Sequence, residues 1–259
     1  MDFKGKTALI TGASSGIGLG YAQEFARRGA NLVLVARSGQ VLNGIAAEIR
    51  ATQDIQVKTI QLDLSALDSG QKLIDIIEKE NLKVDVLVNN AGFGTLNRVA
   101  KEDRGRVQQQ IVLNIATLVD LTAGLLPGML ERDYGVVINV ASTASFQPVP
   151  GMAVYAATKA FVRSFTEALW GELQGTNVKA LTVHPGATKT EFFNVAGGKP
   201  QGPLAPVSDV VQATFRALSS KTSSPSIIVG SQNNMMAKLS RFVPTKTVIK
   251  IAGKLFLKD

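Results

Sequence analysis

Tyr155 and Lys159 stand four residues apart in the stretch Val-Tyr-Ala-Ala-Thr-Lys, thirteen residues beyond Ser142. On a helix this spacing puts a phenol and an ammonium on one face, opening onto one cleft. An unperturbed tyrosine titrates near pH ~10, and a cation within about 4–6 Å favours the phenolate. The pair is therefore expected to pull the Tyr155 pKa toward neutrality, as general acid–base chemistry requires. Taken alone, a Tyr and a Lys at this spacing are also what an ordinary exposed helix carries.

A second chemical feature lies near the amino end. Residues 6–10 read as a short buried strand that runs straight into Thr11-Gly12-Ala13-Ser14-Ser15-Gly16-Ile17-Gly18, after which Leu19, Ala22, Phe25 and Ala26 mark a helix. Glycines at 12, 16 and 18 let the backbone approach a pyrophosphate, and the free N–H groups that open a helix attract its charge. The spacing is Gly-x-x-x-Gly-x-Gly, distinct from the common Gly-x-Gly-x-x-Gly motif. The same segment contains Gly12-Ala-Ser14-Ser-Gly16, formally a nucleophile elbow, and His184 is available to complete a serine hydrolase around Ser14. Position argues against that alternative: Ser14 follows the first strand, so no earlier loop supplies the second oxyanion donor.

The elements that must position these groups follow a regular rhythm. Apolar, strand-like runs recur at 31–36, 56–62, 84–88, 135–140, 178–183 and 226–229, with helical spacing at 41–49, 71–80, 107–130, 157–173 and 207–218. Such alternation predicts an α/β fold, a single-domain doubly wound parallel sheet of Rossmann type over residues 1–259, with helices on both faces. Ligands then bind at the carboxyl edge of the strands. Residues 194–206, rich in Gly and Pro, read as a loop and a candidate substrate lid.

Composition narrows the possibilities. Of 259 residues 45% are hydrophobic and 19% charged, which suits a sheet covered on both sides. Without cysteine there is neither a disulfide nor thiolate chemistry, and a single histidine leaves no metal site to expect. A reducing, cytoplasmic setting is the expectation. The residues ahead of the first strand contain no apolar stretch long enough for a signal peptide, and the uncharged run 134–158 is too interrupted by Ser, Thr, Gln, Gly and Pro to cross a bilayer. The net charge of +8 is spread along the chain without a nucleic-acid recognition motif, so an anionic small ligand is its expected beneficiary and nucleic acid is not. One basic concentration stands out in residues 232–259, where Lys238, Arg241, Lys246, Lys250, Lys254 and Lys258 alternate with apolar residues. That amphipathic extension predicts helices packed on their own domain or on a second subunit, or else weak peripheral contact with a membrane.

Thr11 to Gly18, Asp63, Asn89-Asn90-Ala91-Gly92, Asn114, Ser142, Tyr155, Lys159 and Pro185-Gly186 with Thr188 and Thr190 together resemble the short-chain dehydrogenase/reductase family over nearly the whole chain. The resemblance implies an oxidoreductase in which Tyr155 exchanges a proton with a substrate oxygen. It assigns Lys159 to the nicotinamide ribose, Ser142 to the same substrate oxygen and Asn114 to a water chain. The cofactor contacts it implies are Gly12, Ser14, Ser15, Gly16, Ile17, Gly18, Asp63, Asn90, Ala91, Gly92, Tyr155, Lys159, Pro185, Gly186, Thr188 and Thr190. The second strand ends in Arg37-Ser38 with no carboxylate, which predicts NADP(H) over NAD(H), although Ser15 stands where some NADP-using relatives carry a basic residue. Phe146, Pro148, Val149, Met152, Phe192 and Phe193 are expected to line a pocket for an apolar ketone, aldehyde or secondary alcohol. The family also implies a homodimer or homotetramer. A cofactor-binding sensor or scaffold without chemistry is the non-enzymatic alternative.

Overall fold

Near-continuous apolar runs, such as residues 31–36 and 135–140, form strands that are buried almost throughout, so the centre of the sheet must be covered on both faces, while the strand at 57–61 still exposes Lys58 and Gln61. The computed structural model describes residues 1–200, 202–220, 222, 224–239 and 242–257. Its strands β1 (Thr7–Thr11), β2 (Asn31–Ala36), β3 (Val57–Gln61), β4 (Val86–Asn89), β5 (Gly135–Val140), β6 (Val178–His184) and β7 (Ser226–Ile228) make one parallel sheet in the order β3-β2-β1-β4-β5-β6-β7. Alternate residues point to opposite faces: Ala8 and Ile10 to one side, Leu9 to the other.

The helices are α1 (Gly16–Arg27), α2 (Gly39–Thr52), α3 (Ser69–Lys79), α4 (Arg104–Ile111), α5 (Thr117–Glu131), α6 (Ala153–Glu172), α7 (Phe192–Ala196), α8 (Val207–Ser219), α9 (Ser231–Leu239) and α10 (Thr245–Phe256). On one face Tyr21 and Phe25 of α1, Leu42 of α2 and Phe215 of α8 pack on the sheet. On the other face Leu73 of α3, Leu121 and Met129 of α5 and Leu169 of α6 do the same. Chain order reverses between β1 and β4, and a crevice opens there at the carboxyl edge of the strands.

Three expectations need correction. The helix expected to begin at 157 begins at Ala153, which brings Tyr155 into its first turn. The helix expected over 107–130 is continuous from Arg104 to Glu131 but contains a π-helical turn, Val112–Ala116, between α4 and α5. By length and composition this helix could cross a membrane; here it lies along the sheet, with Leu118, Leu121 and Met129 buried. Residues 194–206 are not wholly irregular either. Their start is the last turn of α7, and Ala205 pairs with Thr188 in a β-bridge. Gln201 of that stretch, and Arg241 and Lys258 of the basic extension, lie outside the described residues.

Candidate active site

The turn from β1 into α1 places backbone donors rather than side chains. Ser15 is the N-cap of α1 yet makes no side-chain cap bond, so the first N–H groups of the helix remain available to an anion. Gly16 has φ +55°, and a Cβ there would stand 2.9 Å from the Thr190 methyl carbon. Gly18 lies beneath the turn, where a Cβ would come within 2.2 Å of the Gly12 carbonyl oxygen. Asn90 locks the turn from the next strand: its Nδ2 donates to the carbonyls of Thr11 at 3.0 Å and Gly12 at 3.3 Å. Thr11 completes the latch, its Oγ1 accepting from the Asn90 and Ala91 amides at 3.0 Å each. These features fit a bound pyrophosphate.

A cleft of about 1170 Å³ extends from this turn along the carboxyl edge of the sheet. Of the expected cofactor contacts it gathers Gly12, Ser14, Ser15, Gly16, Ile17, Arg37, Ser38, Asp63, Asn90, Ala91, Gly92, Pro185, Gly186, Thr188 and Thr190, together with Ser142, Tyr155 and Lys159. Gly18 and Asn114 do not line it. At the far end of β2, exposed Arg37 and Ser38 form the rim, and the Ser38 hydroxyl accepts from the Val41 amide at 3.5 Å at the start of α2. Asp63 is exposed as well. Its carboxyl is held below its usual range chiefly by the Ser65 hydroxyl at 2.7 Å, with the Ser65 amide and the Arg37 charge acting in the same direction.

Tyr155 and Lys159 face the same cleft from α6, both buried. Lys159 Nζ donates to the Val140 carbonyl at 2.7 Å, at the end of β5, and stands 5.9 Å from the centre of the Tyr155 ring. The expected descent of the Tyr155 pKa is not found: burial pushes it up to about 12, and the Ser142 side chain opposes the rise only in part. Lys159 itself is pushed down to about 8 by burial. The cause is common to both. Each group has left water, and burial disfavours the charged form of both. The phenol is therefore stored protonated, as a donor.

Asn114 sits in the π-helical turn, a distortion that often marks functional positions. Its Nδ2 donates to the Phe93 carbonyl and to Thr158 Oγ1, both at 3.0 Å, while its Oδ1 accepts from the Phe93 amide at 3.2 Å. Thr158 Oγ1 in turn donates to the Tyr155 carbonyl at 2.8 Å. Asn114 thus ties the loop after β4 to the first turn of α6. Asn89 supports the sheet one layer below, its Nδ2 donating to Asn139 Oδ1 at 2.9 Å and Thr122 Oγ1 at 3.1 Å.

His184 bonds to Ser142 and Ser145, residues other than the Ser14 of the hydrolase alternative. Its Nδ1 stands 3.2 Å from the Ser142 carbonyl oxygen, which can only accept, so Nδ1 carries the proton; Ser145 Oγ lies 2.9 Å from the same nitrogen. Burial pushes its pKa down to about 4. The sign of the consequence is definite. Between pH 6.5 and 4 the unfolded chain takes up a proton that the folded chain refuses, so acidification through this window destabilises the fold, by up to roughly 3 kcal/mol from this residue. Urea unfolding at pH 7 and pH 4.5 should show His184→Gln losing less stability on acidification than the parent.

The substrate end departs from expectation. Met152, Phe192 and Phe193 line the cleft, but Phe146, Pro148 and Val149 border a separate groove beside Ile249 of α10. The short helical turn after Ser142, Thr143–Phe146, carries Phe146 away from the cleft onto the His184 ring, 4.7 Å between centres. Phe256 of α10 lines the cleft with Met152, Tyr155 and Phe192 and packs against the cluster that contains Met152 and Tyr155. Nothing local in the sequence signals Phe256, because one hundred residues separate it from Tyr155. Thr158 has no signal in the sequence either, being a single hydroxyl inside a helical run, and Thr11, the first residue of the glycine turn, gives no local sign of its bonds to Asn90 and Ala91.

A short chain dehydrogenase family profile matches residues 6–199. The chain is 38% identical over 195 residues to sulfoacetaldehyde reductase 2 of Chromohalobacter salexigens, covering 74% of this chain and 77% of that protein. It is 29% identical over 252 residues to the very-long-chain 3-oxoacyl-CoA reductase of Mus musculus, covering 95% of this chain and 78% of that one. Among solved structures, a short-chain dehydrogenase from Sphingobium yanoikuyae in complex with NADPH superposes with a TM-score of 0.81 at 31% identity, covering 92% of this chain and 94% of that one.

Proposed function

We infer that this chain, which belongs to the short-chain dehydrogenase/reductase family, is an oxidoreductase that uses NADP(H) to interconvert an apolar carbonyl compound and its secondary alcohol. The observation that carries the reading is the burial of Tyr155 and Lys159 side by side, next to Ser142, in the cleft that also receives the uncapped start of α1. A purely cofactor-binding sensor has no use for a buried, protonated phenol at that place.

NADPH, when bound, supplies the hydride. The α1 amides at Ser15 to Ile17 would hold its pyrophosphate, Arg37 and Ser38 its 2′-phosphate, Asp63 and Asn90 to Gly92 its adenosine side, and Pro185 to Thr190 with Lys159 its nicotinamide side. Tyr155 donates its phenolic proton to the carbonyl oxygen of the substrate in reduction and takes it back in oxidation. Ser142 holds that oxygen by a hydrogen bond and fixes the approach of the carbonyl. Lys159 stays anchored on the Val140 carbonyl, so its charge is available where the phenolate would form. Asn114 is a positioning residue, acting through Phe93 and Thr158. Met152, Phe192, Phe193 and Phe256 line the cleft, where they would exclude water and favour an apolar substrate; of the segment 194–206, the described residues 194–200 and 202–206 would serve as a lid over it. Two or four copies of the chain in a reducing, cytoplasmic setting complete the reading.

NADPH consumption across a panel of apolar ketones, aldehydes and acyl thioesters tests it: turnover with at least one class is expected, and none with any would refute it. kcat/KM should be higher with NADPH than with NADH. Arg37→Ala should narrow that ratio on the order of tenfold to a hundredfold, the worth of charge-assisted bonds to a phosphate. A ratio unmoved by the change would remove Arg37 from cofactor choice.

A further inference from the structure

We propose that α9 and α10 form a docking surface for an anionic lipid bilayer and present the substrate end of the cleft to it. The proposal goes beyond the reading above, and lipid binding needs no catalysis, so the two can fail separately.

The inner faces of both helices are already engaged. On α10, Val248, Ala252 and Phe256 recur every fourth residue and turn inward, and Phe256 reaches the cleft beside Tyr155. The last residues close tightly on the loop before α6: a Cβ on Gly151 would stand 3.1 Å from the Phe256 carbonyl oxygen. On α9, Ala237 is buried, Asn233 Nδ2 donates to the Val229 carbonyl at 2.7 Å, and a Cβ on Gly186 would meet that Nδ2 at 2.4 Å. The helix pair is therefore seated on the cleft rim.

What remains outside is unlike the rest of the surface. Met235, Met236 and Leu239 are more than half exposed, Phe242 is 86% exposed in the turn between the helices, and Ile251 and Leu255 are exposed one turn apart on α10. Apolar groups of this size gathered in one short segment mark an interaction surface. Lys238, Lys246, Lys250 and Lys254 are exposed among them, and from Ser231 to Leu257 the sequence holds no Asp or Glu. Lys246, Lys250 and Lys254 form a line beside Ile251 and Leu255, since residues four apart share a face. Apolar side chains interleaved with cations of one sign are complementary to an anionic lipid interface. A second copy fits poorly, because a two-fold contact through this face sets lysines against lysines with no acid to pair them.

Flotation of the full-length chain with phosphatidylcholine vesicles, with and without phosphatidylglycerol, tests the proposal. Binding is expected to the anionic vesicles and to weaken with salt. Replacing Lys246, Lys250 and Lys254 with Gln should lower partitioning on the order of a hundredfold, about fivefold per charge. Met235→Ser with Phe242→Ser should lower it about tenfold or more, while kcat on a small soluble ketone stays unchanged in both variants and certifies their folding. Failure of the intact chain to float with anionic vesicles at low salt overturns the proposal, and so does equal binding to neutral vesicles. A fall in solution mass caused by the Met235 and Phe242 changes would assign the face to a second copy and overturn it as well.

Discussion

Tyr155→Phe is expected to lower kcat for carbonyl reduction by about 10²–10⁴-fold, the range that a positioned proton donor supplies. The ring remains, so its contacts with Phe192, 5.1 Å between centres, and with Met152 persist. Loss of the hydroxyl removes one neutral polar group together with its hydrogen bond to the Ser142 side chain. Stability should therefore stay within about 1 kcal/mol of the parent, and the Kd for NADPH should change by no more than about threefold. Rapid-mixing measurement of NADPH oxidation with a competent ketone, alongside fluorescence titration of the cofactor, separates the two effects. Turnover that survives the change would show that the proton comes from elsewhere and would return the chain to the sensor or scaffold reading.

Gly18→Ala carries the second large effect, by a different route. The added methyl would need to occupy a point 2.2 Å from the Gly12 carbonyl oxygen and 2.6 Å from Asn90 Nδ2. Neither neighbour is free to yield: Asn90 Nδ2 bonds two carbonyls of the turn, and Thr11, at the other end of the latch, is buried. The turn must shift, and with it the amides that open α1. Overpacking of this kind costs about 1–3 kcal/mol, so the KM for NADPH should rise on the order of tenfold to a hundredfold, with kcat at saturating cofactor reduced much less. Gly44→Ala is the control. Gly44 lies in α2 with nothing within 4 Å of its Cβ position, so the methyl should leave cofactor binding unchanged and raise stability by about 0.5–1 kcal/mol. A Gly18 variant with parental KM would show that the glycine turn does not carry the cofactor.

The two shifted pKa values also bear on the proton-transfer step. With Tyr155 protonated across the neutral range, reduction would start from the donor form, whereas oxidation of an alcohol would need the phenolate, which burial disfavours. The charge that lowers that cost stands 5.9 Å away on Lys159, itself pushed down to about 8.

Much of this was legible in the sequence because it depends on local period. Apolar runs of strand length alternating with helical spacing define a parallel sheet, since only crossovers can join its strands. The glycines of 12–18 and the four-residue interval of Tyr155 and Lys159 are likewise local, so their type and spacing pointed to one cleft before any contact was known. What the sequence could not decide depends on dielectric surroundings and on distant neighbours. Spacing put Lys159 on the face of Tyr155, but only tertiary burial showed that desolvation raises the phenol instead of lowering it. Composition marked 232–259 as amphipathic, but which of its residues faces inward depends on where the helix lands; Phe256 reaches Tyr155 through space, and the displaced Phe146 turns away with the backbone after Ser142. Local pattern is set by short-range sterics and hydrogen bonds, whereas the acidity of a buried group and the wall of a pocket are properties of everything packed around them.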